Sequence, residues 1–401
     1  MPRPKLVTAS TATAFSACAL ATLACGGGPS ADLLKDYNAA RSAALAPVGP
    51  APKGWSPDAV LQLSPDVVER LVKAGVEQLD PADWTVDAPG VTLTPKLSLD
   101  SVKLDASDKC TTCFAADVVV KGPIKYNAKL LGKGRIPTTI TAILDIELDV
   151  GSKAKGFPVS ASVHGVRKVR VEMEGLPRAL SDAIEPRLTD LVHDQATKDV
   201  EPFDILRPGT GALPLRALRI KPQGKGALLE MLTEAGTEAS VVPGRQLGDW
   251  TLDVAEPSLV RIINRESFAA GPQDLGLIGE LRGLSVAKGG NLDLDLRIWR
   301  IEGSGWWRDL DVDIDATVKN RKLELKVTKA DVVKSSPGAA FADPVTWLAE
   351  SMVLSELEEA AAFAVPTVEN ADLGKAKATV RLEGLAPGRD SLRTYGSVTF
   401  E

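Results

Sequence analysis

Long runs in which apolar and polar residues alternate constrain this chain more than any other feature of its sequence. The longest run has apolar side chains at every second position: Ile140, Ala142, Leu144, Ile146, Leu148 and Val150. Successive side chains of a β-strand point to opposite faces of a sheet, so this run predicts a strand with one buried and one wet face. Comparable runs predict antiparallel sheets in both halves of the chain, at 159–163, 169–173, 292–298, 310–316 and 323–327.

The alternation changes phase once within the first half. The apolar positions Leu97 and Leu99 are followed by Val102 and Leu104, so the apolar face moves from odd to even residue numbers. An extra residue in one strand produces such a shift, and we therefore predict a β-bulge at 100–101.

Amphipathic helices are predicted on both sides of each set of strands. In the first helix, Ser64 can cap the start, a proline follows in the first turn, and an acid lies at the positive end of the helix dipole. Apolar residues at helical spacing extend this helix to Leu79 and predict a second helix over 176–196. Similar patterns predict helices at 256–268 and 343–365.

The same order of elements occurs twice, which predicts the domain organisation. Residues 56–200 and 246–401 each contain a helix, alternating strands and a second helix, and 201–245 is predicted to connect them. Two diverged copies of one module explain this order most economically. The predicted fold class is α+β, with two related modules that each form a long curved antiparallel sheet wrapped on amphipathic helices.

The N-terminus has the layout of a secretory signal. Arg3 and Lys5 precede an uncharged stretch from Leu6 to Ala24, which is short and weakly apolar for a membrane span. We therefore predict a signal peptide at 1–24. A flexible tether is predicted at 25–55, because Gly and Pro recur there.

The residues at the end of this signal resemble the lipobox of bacterial lipoproteins. In Ala21-Thr22-Leu23-Ala24-Cys25, a small residue precedes the Cys, although Thr22 stands where that family prefers Leu. The resemblance implies that Cys25 becomes the acylated N-terminus. An ordinary cleaved signal, or processing at Cys18, remains the alternative. Because Gly26 rather than Asp follows the Cys, we expect sorting to an outer membrane, facing the periplasm.

The remaining two cysteines form a Cys-x-x-Cys sequence, Cys110 and Cys113. A metal or redox site is one interpretation of this spacing. A local structural disulfide is favoured for an exported chain, because the compartment is oxidising. The sequence has no second Cys pair, and its only histidines are His164 and His193. No metal or cofactor is predicted.

Other patterns that could carry chemistry are incomplete. The net charge of −6 without a basic run argues against a nucleic-acid partner. The acidic ladder over 309–315 could suggest calcium, but Ala316 and Lys322 occupy the positions where a calcium loop needs Gly and Glu. Ser285 and Lys288 have the spacing of penicillin-binding proteins without their other elements. The chain is therefore predicted not to be an enzyme.

The repeated helix–strands–helix order resembles the tubular lipid-binding superfamily, the fold of bactericidal/permeability-increasing protein. The resemblance covers about Trp55 to Glu401 and concerns pattern alone. It implies two barrel-like modules that hold acyl chains, and hence a protein that binds or transfers lipids or other hydrophobic molecules in an apolar tunnel. The candidate lining residues are Val68, Leu71, Val72, Leu180, Ile184, Leu188, Leu259, Ile263, Leu348 and Met352. The alternative is a structural or interaction lipoprotein, a scaffold of the cell envelope with solid cores.

The lipobox-like sequence predicts how the protein is held on a membrane. Replacing Cys25 with Ser removes the only acylation site at the lipobox, so the Cys25→Ser variant should leave the membrane fraction. Fractionation and intact mass measurement test this expectation. Equal membrane retention of both proteins, with no acyl mass on the wild type, would contradict it.

Overall fold

Antiparallel sheets with helices packed on them make up the described part of the chain, so the predicted α+β class is confirmed. The computed structural model describes residues 29–78, 86–88, 91–128, 132–175, 182, 184–190, 193, 203–206, 213–236, 239–272, 276–287, 291–319, 322–337, 339, 368–373 and 376–400. The predicted signal peptide, Cys25 and the predicted helix at 343–365 lie outside these residues. Of the predicted helix at 176–196, residues 184–190 are described as a helix.

The helices are α1 (Ala31–Leu45), α2 (Pro65–Gln78), α3 (184–190) and α4 (Glu256–Ala270). The strands of the first half are β1 (Ala59–Leu63), β2 (Val86–Ala88), β3 (Val91–Pro95), β4 (Ser98–Ala106), β5 (Cys113–Ala128), β6 (Gly132–Val150), β7 (Val159–Met173) and β8 (Phe203–Leu206). The strands of the second half are β9 (Leu215–Gln223), β10 (Gly226–Thr233), β11 (Trp250–Ala255), β12 (Leu277–Val286), β13 (Leu292–Arg300), β14 (Trp306–Lys319), β15 (Lys322–Ser335), β16 (Val368–Leu373), β17 (Ala376–Pro387) and β18 (Ser391–Phe400).

These strands form three sheets. The first sheet has the order β2-β3-β5-β6-β7-β8, with β4 paired to β5, and the second has the order β12-β13-β14-β15. The third, which we call the central sheet, has the order β16-β17-β18-β11-β1-β10-β9. It therefore combines strands from the start, the middle and the end of the chain.

The alternating runs predicted the long strands correctly. Strand β6 buries Ile140, Ile146 and Leu148 on one face, and β14 buries Leu310 and Val312 in the same way. The register of β4 against β5 shifts between Leu99 and Ser101, at the predicted bulge. Burial of every second side chain on one face of each sheet is the physical basis of this agreement.

The central sheet is the main difference from the predicted organisation. Strands β9 and β10 lie within 201–245, which was predicted as a connection, and β10 pairs with β9 on one side and with β1 on the other. Strand β1 lies between β10 and β11, and its Ala59 and Val60 are both fully buried. A strand that is covered on both faces has no alternating pattern, so β1 leaves no period-2 signal in the sequence.

The predicted flexible tether at 25–55 also differs from the structure, because helix α1 occupies 31–45. The side chain of Ser30 caps this helix by accepting a hydrogen bond of 3.2 Å from the backbone N–H of Leu33. Leu33, Tyr37 and Ala44 share one face and are buried. The Tyr37 ring lies 5.8 Å from the ring of Phe268 on α4. Burial of this apolar face explains why the segment is ordered rather than free.

The Pro-rich segment after α1 is fixed to the central sheet. A guanidinium N–H of Arg216 donates a 2.6 Å hydrogen bond to the carbonyl of Pro50. The guanidinium of Arg219 donates to the carbonyl of Trp55 at 3.1 Å and lies 4.0 Å from the centre of its ring. The chain therefore runs from α1 to β1 along the surface of β9.

The aromatic contacts of α1 predict that this helix contributes to stability. Tyr37→Ala removes a buried ring that also contacts Trp299 at 5.9 Å, and we expect a loss of about 3 kcal/mol in the free energy of unfolding. Leu34→Ala is the matched control, because Leu34 lies on the exposed side of the same helix. Denaturant unfolding of both variants measures the loss in the free energy of unfolding. Losses of equal size would contradict the packing of α1 on the second module.

Cys110, in the loop between β4 and β5, and Cys113, the first residue of β5, form the predicted disulfide. The bond closes a very short loop, so the chain-entropy model gives it about 2 kcal/mol or less. We expect the double Cys→Ser variant to lose no more than this in denaturant unfolding and to keep full ligand binding. Stoichiometric zinc in the purified wild type would contradict a purely structural disulfide.

Candidate apolar binding site

Helix α2 begins where the central sheet meets the first sheet. It follows β1 directly, and the side chain of Ser64 caps it by accepting a hydrogen bond from the N–H of Val67 at 3.3 Å. The backbone N–H of Ser64 donates to the carbonyl of Asp249, the residue before β11 of the central sheet, at 2.8 Å. On the other side, Glu69 accepts a hydrogen bond from the N–H of Leu104 on β4 at 3.1 Å. These contacts fix α2 between the two sheets.

The two sides of α2 contact different clusters. Val67 packs with Ala378 and Val398 of the central sheet. Val68 and Val72 pack into the largest cluster, which joins the first sheet to the central sheet. One face of α2 therefore covers the place where the two sheets meet.

A cavity lies beneath this face of α2. Its volume is about 310 Å³, including the part that is open to solvent. Helix α2 contributes Val68, Leu71 and Val72 to its wall. The remaining lining residues come from the strands of the two sheets: Leu63, Leu148, Val159, Ile220, Ala227 and Leu229.

All lining side chains of this cavity are aliphatic, which limits its chemistry. The wall presents no side chain that could hold a metal, donate a proton or attack a substrate. What it offers to a ligand is removal of hydrocarbon from water, worth about 0.8 kcal/mol per buried methylene group. The site is suited to part of an apolar molecule.

The predicted lining residues are distributed over different parts of the structure. Val68, Leu71 and Val72 lie together at the cavity, whereas Ile184 and Leu188 of α3 are buried in another cluster of the first module. Three other candidates, Leu180, Leu348 and Met352, lie outside the described residues.

The two candidates on α4 have unequal environments. Leu259 is partly buried against the large cluster that joins the first and central sheets, and Ile263 is 38% exposed. Neither of them lines the cavity beneath α2. The lining residues that the sequence did not nominate belong to strands, and four of them lie on β1, β9 or β10 of the central sheet. The apolar residues of these strands indicated a core face, but they did not indicate a cavity next to that face.

The charged groups of the first module form structural pairs away from the cavity. The guanidinium of Arg167 donates two hydrogen bonds of 2.9 Å to the carboxylate of Asp145. These bonds hold the pKa of Asp145 below its usual value, with a smaller contribution from the hydroxyl of Ser107. Among the described residues, no cluster of His, Cys, Asp or Glu could hold a metal ion.

A similar pair lies on the face of the second sheet that carries Trp299 and Trp307. The guanidinium of Arg297 donates hydrogen bonds of 2.6 and 2.8 Å to Asp309, which raises the pKa of Arg297. It also lies 4.0 Å from the centre of the Trp307 ring. Asp309 is the first acid of the ladder over 309–315, and the structure places it on β14. The pair orders this face of the sheet.

No protein-family model matches the sequence, and no curated protein matches it significantly. Among solved structures, the chain is similar to lipopolysaccharide binding protein, with 12% identity, a TM-score of 0.41, and coverage of 86% of this chain and 99% of that chain. It is also similar to P47 of Clostridium botulinum E1, with 7% identity, a TM-score of 0.40, and coverage of 86% and 100%. A third similar structure is P47 from Clostridium botulinum A2, with 9% identity, a TM-score of 0.34, and coverage of 86% of this chain and 97% of that chain. These likenesses are too distant to carry an argument about the ligand.

The part of the chain that the structure describes has no helix of the length and apolar character needed to cross a bilayer.

Proposed function

We propose that this protein is a lipid-anchored protein of the cell envelope that binds or transfers lipids or other hydrophobic molecules without catalysing a reaction. The observation that carries the proposal is the cavity beneath α2, whose wall consists of aliphatic side chains from a helix and two sheets. The lipid on Cys25, the outer-membrane location and the periplasmic orientation are part of the proposal. They are supported by the lipobox-like sequence that ends at Cys25 and by Gly26 after it.

The size of the cavity indicates how much of a ligand it holds. Ligand pockets typically measure about 300–1,000 Å³, and the enclosed part of this cavity is far smaller, because the volume of about 310 Å³ includes space open to solvent. We therefore propose that the cavity takes one end of a hydrocarbon chain rather than a whole lipid. A ligand of this kind agrees with the apolar tunnel that the resemblance to the tubular lipid-binding superfamily implies.

The second candidate is a scaffold with solid cores, and a specific observation favours it. Ile184 and Leu188 of α3 are 3% and 1% exposed within a closely packed cluster of the first module. If the space beneath α2 were filled in the same way in solution, the protein would have no ligand. Lipid binding and the scaffold function predict different effects of a large side chain at Val72 and at Ile184.

The decisive variant is Val72→Trp, which places an indole in the cavity. If the space holds ligand, affinity for a fluorescent fatty-acid probe should fall at least about tenfold, or 1.4 kcal/mol, with a near-normal melting temperature. In a solid core, the same change overpacks and costs about 1–3 kcal/mol of stability. Probe titration and thermal unfolding of the same samples measure both quantities.

Two controls accompany this variant. Lys73→Trp adds the same side chain on the exposed side of α2 and should leave both quantities unchanged. Ile184→Trp tests whether the ligand space extends beneath α3: probe loss there without destabilisation indicates a longer tunnel. A wild type that binds no probe, together with destabilisation by Val72→Trp, would support the scaffold and contradict lipid binding.

A further inference from the structure

The first described residues of the chain lie at one hairpin of the second module. Pro29 contacts Gly305 so closely that a Cβ placed on Gly305 would lie 2.6 Å from the Cβ of Pro29. Gly305 belongs to the turn between β13 and β14, where residues 302–304 are exposed. The position of Pro29 is fixed, because Ser30 caps α1 and α1 is packed against this module.

Helix α1 runs from this turn towards the central sheet. Its start lies beside Gly305, and the chain after its last residue reaches the central sheet, where Val48 contacts Gly236 and Pro50 accepts a hydrogen bond from Arg216. A helix of 15 residues is about 22 Å long. The turn at 302–304 is therefore separated from the central sheet by about the length of α1.

The proposed anchor on Cys25 would be very close to this turn. Only residues 26–28 separate Cys25 from Pro29. Whatever conformation these residues adopt, the Cα atoms of Cys25 and Pro29 cannot lie more than roughly 14 Å apart. A lipid on Cys25 is inserted in a bilayer, so Pro29 and the neighbouring turn must stay near its surface.

We infer that the anchor orients the whole molecule, with the turn at 302–304 of the second module facing the surface of the lipid bilayer. This inference rests on the proposed lipid anchor and adds an interaction surface to it. The hairpin between β5 and β6 belongs to the other module, and β6 extends over about 60 Å from Val150 at the central-sheet end to Gly132. If the turn faces the bilayer, that hairpin lies farther from the bilayer surface than the turn does.

Fluorescence quenching in vesicles tests this orientation. The full-length acylated protein is reconstituted in phosphatidylcholine vesicles that carry a nitroxide on the lipid headgroup, and vesicle flotation is checked first. A thiol-reactive fluorophore is attached through Ser304→Cys or, as the matched control, Lys133→Cys beside the β5–β6 hairpin. Both positions are exposed. Of the other cysteines, Cys18 belongs to the predicted signal peptide, Cys25 carries the proposed lipid, and Cys110 and Cys113 form the disulfide. We expect at least fivefold stronger quenching at position 304 than at position 133.

A second measurement distinguishes orientation by the short segment between Cys25 and Pro29 from a general affinity of the turn at 302–304 for the bilayer. Insertion of twenty Gly and Ser residues between Gly28 and Pro29 should reduce the difference in quenching at least twofold. Equal quenching at positions 304 and 133 in floating vesicles would overturn the inference and leave the anchor intact, as would an insertion without effect. Protein that fails to float with vesicles would overturn the anchor and the inference together, and probe binding to the cavity would be unaffected.

Discussion

The pairing of β1 between β10 and β11 is the constraint on which the rest of the structure depends. It places a strand from the start of the chain in the middle of a sheet built mainly from later residues. A buried carboxylate closes this arrangement: Asp58 accepts hydrogen bonds from the N–H of Thr233 at 2.7 Å and from the hydroxyl of Ser258 at 2.9 Å. A buried charge without such partners would be costly. These bonds connect the start of β1 to the end of β10 and to the first turn of α4.

The candidate site follows from this arrangement. Because α2 begins one residue after β1, the position of β1 also sets the position of α2 over the contact between the first and central sheets. Two twisted sheets and a helix fill such a junction with aliphatic side chains, and the cavity is the space that they leave. Binding of a hydrocarbon chain there would exclude water from side chains of both sheets. A ligand would therefore stabilise the junction as well as occupy it.

The sequence predicted those parts of the fold whose burial is one-sided. Periodicity and capping predicted strands β6 and β14, the bulge at Leu99–Ser101, and helices α2 and α4. Strand β1 was not, because both of its faces are buried and it lacks alternation. Helix α1 was hidden in an Ala-rich segment, although Leu33, Tyr37 and Ala44 have helical spacing. The candidate residues on α2 were predicted because they form an apolar face. A cavity depends on how facing side chains fit together, which no single sequence pattern encodes.

We propose that the junction beneath α2 holds a hydrophobic molecule. The most direct measurement is mass spectrometry of the wild-type protein under non-denaturing conditions after gentle purification, followed by lipid extraction. If the junction holds such a molecule, we expect additional masses that correspond to bound apolar molecules, which are released on unfolding and recovered in the organic extract. Protein that appears only at its own acylated mass, and that takes up no fatty acid when incubated with one, would contradict the claim.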